Sequence, residues 1–254
     1  MIDERIAERR AAVRDDRRRG RLRRTRRLLL LAVLLVGLVA LERSPLVGLE
    51  EVEVVGMQRL TASQITEAAE LELGTSTLRL GLQAVTERIE ALPLVLRASA
   101  QRTDPLSVRI EVTEREPVLV ASGRGTTRYL DREGIVIDEL GPDEPRPSSL
   151  AVIALAAAPP AVGEPVVADP ALANAHAVWT GLSGSLRAEV VTYRAAGPDE
   201  LTLELLSGIE VRFGRAERTG EKVRALGAVL DDVGDTPIAS IDVRAPQAPV
   251  VVGP

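Results

Sequence analysis

An apolar run from Leu28 to Leu41, reading Leu-Leu-Leu-Leu-Ala-Val-Leu-Leu-Val-Gly-Leu-Val-Ala-Leu, constrains this chain more than any other stretch. Fourteen residues of helix rise only ~21 Å against a hydrocarbon core of ~30 Å, so length alone leaves the span short. The flanks supply the rest. Arg26 and Arg27 on one side and Arg43 on the other can run their methylene stems through the boundary and keep their charges in water. Pro45 stops the helix at about Ser44, and Arg26–Ser44 then offers ~28 Å of helix, which is enough. A buried soluble helix would carry a polar stripe and an interfacial helix a charged face, and this run has neither. A cleaved signal peptide needs small residues at the cut, whereas the run ends Gly-Leu-Val-Ala-Leu-Glu-Arg. The expectation is one uncleaved transmembrane helix over residues 28–44.

Charge orients it. Residues 1–27 hold twelve Arg against five Asp or Glu, while the whole chain is at −5, so everything beyond the tail is strongly acidic. Arg-rich flanks stay in the cytoplasm, which places the rest of the chain outside. The tail is polar and too poor in apolar residues to build a core; its arginines serve as a topology signal or bind anionic lipid, at about 1 kcal/mol each near the surface. Composition then excludes several chemistries. There is no cysteine, which removes thiol catalysis and cysteine-ligated metal, and His176 is the single histidine. Aromatic residues are confined to Tyr129, Trp179, Tyr193 and Phe213, and the acidic exterior opposes nucleic-acid binding. Gly123-Arg-Gly125-Thr-Thr-Arg128 lacks the third glycine of a phosphate loop. No cofactor, metal or small-molecule substrate is expected.

The outer chain reads as two patterned segments. Leu49 to Gly56 predicts a short strand closed by a glycine turn. Thr61-Ala-Ser-Gln64 is a capping box for a helix with Ile65, Ala68 and Ala69 on its apolar face, closed by Gly74. Leu82, Val85, Ile89 and Leu92 mark a second helix ended by Pro93. Two strands follow, the first with Val95, Ala98 and Ala100, where Val95-Leu96 breaks the period of two. The second carries a clean alternation of Leu106, Val108, Ile110 and Val112, and Thr103-Asp104-Pro105 joins the pair.

From Pro117 to Glu139 short strands surround an Asp131–Gly134 turn, and Gly141 to Ser149 reads as an exposed loop. Leu150 to Leu155 is a strand. Asp169-Pro170 is an N-cap and first-turn proline for a helix burying Leu172, Ala175, Trp179 and Leu182, with His176 beside that stripe as a packing residue. Strands are expected at Glu189–Arg194, Leu201–Leu206 and Ile209–Phe213, the last two joined by Ser207-Gly208. A helix from about Arg215 to Val233 buries Val223, Leu226, Leu230 and Val233, and its outer face is read as carrying Glu221, Lys222 and Arg224. Ile238 to Arg244 is read as the final strand, with an apolar tail at Val250 to Val252.

Strand, helix, helix, strand, strand, directly after a single membrane anchor, resembles a POTRA domain. Leu92-Pro93-x-Val95, then Arg102, Pro105, Ile110 and Val112, then Glu114-Arg115-x-Pro117, resemble the second half of the POTRA domain in the FtsQ/DivIB family of bacterial cell-division proteins. Tyr129-Leu130-Asp131-Arg132-Glu133-Gly134-Ile135-Val136 resembles that family's strand–Asp–x–x–Gly–strand hairpin, and Ile241-Asp-Val-Arg244 its final Asp-x-Arg strand. Leu94 departs from the pattern, since the family often has Trp there. The resemblance implies an α+β fold with a single N-terminal transmembrane helix, a POTRA domain of βααββ order and a mixed α/β "β domain". Its parts are a cytoplasmic tail (1–27), the transmembrane helix (28–44), POTRA (49–117), the β domain (118–246) and a C-terminal tail (247–254).

The same resemblance implies a non-enzymatic, single-pass type II membrane scaffold at the division septum. Its implied partners are FtsB and FtsL, and through them the septal wall synthase and its penicillin-binding transpeptidase. A POTRA-containing export receptor is the alternative, although such receptors repeat the unit ahead of a β-barrel. An exported cell-wall enzyme is a further one, but the carboxylates at Asp231, Asp232 and Asp235 have the ordinary look of a solvated surface. If Ile238–Arg244 is the last strand, no later strand covers its outer side, and a partner strand can add there; the alternative is that the tail folds back and closes its own edge. The expected partner-binding residues are Ile238, Ser240, Ile241, Asp242, Val243 and Arg244, with Lys222 and Arg224 alongside and Val250 and Val251 in the tail.

Overall fold

The computed structural model describes residues 26–38, 40, 48–77, 79–141, 144–234 and 236–253. Residues 26–38 are helical, and the leucines and valines from Leu28 to Leu38 are 61–69% exposed. Among the described residues no helix is long and apolar enough to cross a membrane. Residues 39 and 41–44 of the expected span, the cytoplasmic tail as far as residue 25, and Asp235 lie outside the described residues.

Two compact units divide the chain. One takes in the residues up to Val55 with Ala62–Thr86 and Ser99–Glu111; the other takes in Gly56–Thr61, Glu87–Ala98 and everything from Val112. The βααββ order is present as β1 (Glu51–Val55), α1 (Ala62–Ala68), α2 (Leu82–Glu90), β2 (Val95–Asp104) and β3 (Ser107–Glu114). The three strands form a sheet of order β1-β3-β2, with β1 parallel to β3 and Val52 opposite Val108, Val54 opposite Ile110. Alternation in β3 works as a half-buried strand must: Val108, Ile110 and Val112 are buried, while Arg109 between them is exposed and pairs with Glu53 at 2.8 Å. The break at Val95-Leu96 is equally physical, because Val95 and Ala98, three residues apart, are the buried pair of β2. Asp104 turns the chain by accepting the Leu106 amide at 2.8 Å.

The first helix stops earlier than Gly74. It ends at Ala68, with Glu70 in the left-handed region at φ 51°. The Glu70 amide donates to the Glu67 carbonyl at 3.0 Å and the Leu71 amide to that of Thr66 at 3.4 Å, a Schellman closure built on a non-glycine residue. Buried Leu71 supplies the apolar contact that usually goes with it.

The second unit holds a nine-stranded sheet of order β12-β11-β10-β9-β8-β7-β4-β5-β6. Its strands are β4 (Leu119–Gly123), β5 (Thr126–Leu130), β6 (Val136–Glu139), β7 (Ala151–Leu155), β8 (Val190–Gly197), β9 (Glu200–Leu205), β10 (Glu210–Arg212), β11 (Ser240–Asp242) and β12 (Val250–Val252). Pairs β4–β7, β7–β8 and β10–β11 are parallel. The glycine-containing stretch that fails as a phosphate loop makes the β4–β5 hairpin, with Arg124 (φ 49°) and Gly125 (φ 81°) as a two-residue turn of the primed type.

Helix α3 (Pro170–Gly181) lies across β7, β8 and β9. Asp169 caps it, accepting the amides of Ala171 and Leu172 at 2.9 Å each. Leu172, Ala175, Val178 and Trp179 enter one core with Ile153, Tyr193, Leu203, Val211, Phe213 and Ile241. A short helix α4 (Gly184–Glu189), absent from the sequence reading, follows a Ser183 cap, and its Arg187 sits over the Trp179 ring at 4.4 Å. The last helix, α5 (Thr219–Val233), begins after Arg218, which holds φ 52°, so residues 215–218 are a turn and not its first turn of helix.

Candidate functional site

The expected partner site lies where β10, α5, β11 and β12 come together. A parallel pair such as β10 and β11 needs a crossover, and α5 provides it. Val211 pairs with Ile241, and both are fully buried under the helix side of the sheet. Ile238 packs at the margin of this core, and Val243 is buried with its amide donating to the Arg212 carbonyl at 3.0 Å. Asp242 and Arg244 face each other. The Arg244 guanidinium reaches both carboxylate oxygens, at 3.0 and 2.6 Å, and holds the Asp242 carboxyl below its usual range.

Two sequence expectations change here. First, the β11 strand, only Ser240–Asp242, is not the edge. The chain reverses through a turn at Ala245–Ala248 and returns as β12, antiparallel to β11, with Ile241 opposite Val251 and Ser240 opposite Val252. The signal was present as three consecutive β-branched valines after Pro249, a strand composition that a tail reading passes over. Ser240, half-buried between two neighbours, is therefore not available to an incoming strand. The outermost strand is β12, whose Val250, Val251 and Val252 are 57%, 41% and 51% exposed.

Second, Lys222 is not on the outer face of α5. It is buried, its ammonium donating to the carbonyls of Phe213 (3.0 Å) and Arg215 (2.8 Å) and lying 5.1 Å from the Phe213 ring centre. Residues two apart on a helix point in nearly opposite directions, so Lys222 and Arg224 cannot share a face. Arg224 is the exposed one. Burial pushes the Lys222 pKa down, with the charge of Arg218 adding to the effect. Its long stem makes it a clamp on the 213–215 turn.

The Asp-x-x-Gly hairpin also proves structural. Asp131 is buried, accepts the Ile135 amide at 2.7 Å and pairs with the Arg115 guanidinium, which also reaches Glu133 at 2.7 Å and the Val95 carbonyl at 3.2 Å. Desolvation works against the Arg115 charge, but Glu133 and Asp131 outweigh it and hold its pKa above the ordinary value. Sequence reading singled out both motifs but not their pairing, which joins residues sixteen apart. Gly134 has φ 82°, and a Cβ there would stand 2.8 Å from Val166 Cγ2 and 3.0 Å from His176 Cε1. His176 stacks on Trp179 at 5.7 Å with Nε2 3.2 Å from the Arg132 carbonyl, a packing role. Among the described residues no three His, Asp or Glu side chains come together as a metal site.

Known proteins resemble this chain in sequence. Residues 47–115 match the family model for the POTRA domain, FtsQ-type, and residues 118–244 that for the cell division protein FtsQ/DivIB C-terminal region. The cell division protein FtsQ of Mycobacteroides abscessus is 30% identical over 88% of this chain and 68% of its own length. That of Mycobacterium leprae is 29% identical over 84% of this chain, which spans 58% of that protein. The Streptomyces collinus FtsQ is 30% identical over 91% of this chain and 89% of its own length. The chain belongs to the FtsQ/DivIB family of cell-division proteins.

Proposed function

We propose that this protein is a non-enzymatic bitopic scaffold of the division machinery. It crosses the cell membrane once through residues 28–44, keeps residues 1–27 in the cytoplasm, and presents a POTRA domain (49–117) and a β domain (118–246) outside. The exposed apolar helix at residues 26–38 supports the anchor, because a contiguous apolar surface of this kind is tolerated only against lipid or another protein. At the septum the β domain docks FtsB, with FtsL beside it, and so bears on the wall synthase and its transpeptidase.

One observation carries the docking assignment: β12 ends the sheet with three exposed valines and no charged residue. Edge strands are usually blunted by shortness, charge, proline, a covering segment or a bulge, and β12 has only the first along its length. A partner strand adding to β12 gains backbone hydrogen bonds for affinity and side-chain contacts with alternate valines for selectivity. Asp242, opposite Val250, and Arg244, paired with it, then stand one strand in from the addition, and the exposed Arg224 is proposed as a further charged contact.

Proline tests this, because it removes an amide donor without adding charge. Neighbouring amides on a strand point to opposite sides. We therefore expect Val250→Pro, Val251→Pro and Val252→Pro to split. The variants that lose an outward amide stay folded by melting temperature and lose FtsB binding. If every variant that stays folded binds FtsB normally, recognition lies elsewhere.

A further inference from the structure

We propose that the Leu73–Gly74 turn of the first unit dips its leucine into the outer face of the bilayer that the apolar helix crosses, giving the chain a second membrane contact. This rests on the membrane-anchor reading. Leu73 is 70% exposed, and among the described residues of its unit it is the one exposed large apolar side chain beyond the helix at 26–38. A lone exposed leucine is ordinary on a soluble surface. Its place in the chain sets this one apart.

The turn is built against the segment that leaves the proposed span. Gly48 bridges to Ser76, the Leu49 amide donates to the Thr75 carbonyl at 2.8 Å, and the Gly74 amide donates to the Leu49 carbonyl at 2.7 Å. A Cβ on Gly48 would stand 3.2 Å from the Gly74 carbonyl oxygen, so backbone lies close on backbone here, and Gly74 itself holds φ 85°. The proposed span ends at residue 44, and four residues of chain reach at most about 14 Å. Leu73 is thus tethered near the interfacial layer, which is ~5–7 Å deep on each side of the hydrocarbon. The turn is also pinned at both ends. Leu71 is buried before it; after it Thr77 is buried, its hydroxyl donating to the Pro105 carbonyl at 2.6 Å. Arg102 donates to the carbonyls of Thr77 and Leu80 at 2.6 and 2.8 Å. Residues 72–75, between these fixed points, are exposed.

The residues choose the kind of contact. Positions 71–76 carry Glu72 and no cation, so the contact rests on burial of the leucine and not on headgroup charge. The anchor makes docking an intramolecular step, for which one leucine suffices where it would not hold a free domain to a membrane.

The test uses the full chain in phosphatidylcholine nanodiscs. The protein has no cysteine, so Thr75→Cys places a unique fluorophore beside the leucine, read against a quencher carried on lipid headgroups. Quenching should fall several-fold in Leu73→Ser and hold in Leu73→Ile, with the melting temperature unchanged in both. Equal quenching in Leu73→Ser overturns the proposal, since the tether alone would then keep the turn near the membrane. A lowered melting temperature in Leu73→Ser also overturns it, because the leucine would be packed against the protein. So does a Thr75 label that stays unquenched while a label at Ala32→Cys is reached by a quencher on the acyl chains. If that quencher fails to reach Ala32, the anchor reading falls, and this one with it.

Discussion

The two ends of the nine-stranded sheet are finished in different ways. At β6, Val136 and Ile137 are buried, and the chain lays its own Gly163–Val166 segment along the outer side. The Val136 amide donates to the Glu164 carbonyl at 3.0 Å, and Val136 in turn accepts the Gly163 amide at 2.7 Å. Ile135 bridges to Pro165, and Asp138 pairs with Arg59 at 2.9 Å. At β12 the sheet ends, among the described residues, in three exposed valines. One edge is sealed and salted; the other is short, apolar and uncharged. That contrast is what the proposed strand addition at β12 rests on.

The largest effect should come from the core behind the open edge. Ile241 is fully buried and Val251, directly opposite it, is 41% exposed. Ile241→Asp should cost on the order of 4 kcal/mol by burying an unpaired carboxylate, and Val251→Asp under about 1 kcal/mol. Urea denaturation of the two variants measures the gap. Equal midpoints would mean that β12 is as buried as β11, and the contrast between the edges would collapse.

A middle-sized effect belongs to the sealed side. Gly134→Ala forces a side chain into the left-handed region against Val166 and His176 and should cost about 2 kcal/mol. Thermal melting reads it. An unchanged melting temperature would show that the hairpin turn does not set the sealed edge.

The smallest concerns pH. Burial pushes the His176 pKa below its ordinary 6.5, partly offset by the Arg132 carbonyl and by Asp131. With a depressed native pKa the unfolded chain binds the proton first, so stability is full above about 6.5 and declines as pH falls through the lower native value. Melting temperature should therefore drop from pH 7.5 to 5.5, and His176→Gln should flatten that slope in this window. An equal slope in the variant would assign the loss to other groups.

Most of the fold was legible because its patterns are local. Alternation at Val108, Ile110 and Val112, the Asp169-Pro170 start and the Ser207-Gly208 turn each declare themselves within a few residues. Where reading failed, the deciding interaction was distant or unusual. Glu70, a residue that seldom takes a left-handed cap, ends α1 ahead of the more obvious Gly74. Lys222 carries a surface residue's charge, yet it stands four residues before buried Leu226 and so on that side of α5. Only the carbonyls of Phe213 and Arg215, folded back over its ammonium, make it a buried clamp. The sheet edge was read one strand short, because three valines after Pro249 announce a strand but not that it pairs back onto the strand of Ile241.

Amide hydrogen exchange with and without FtsB distinguishes the two edges. Binding by strand addition should slow exchange at alternate amides of Val250–Val252, while amides of β6 and of Gly163–Val166 keep the rates of the free protein. Protection that appears at β6, or binding that leaves all the β12 amides unchanged, would contradict the assignment of the open edge.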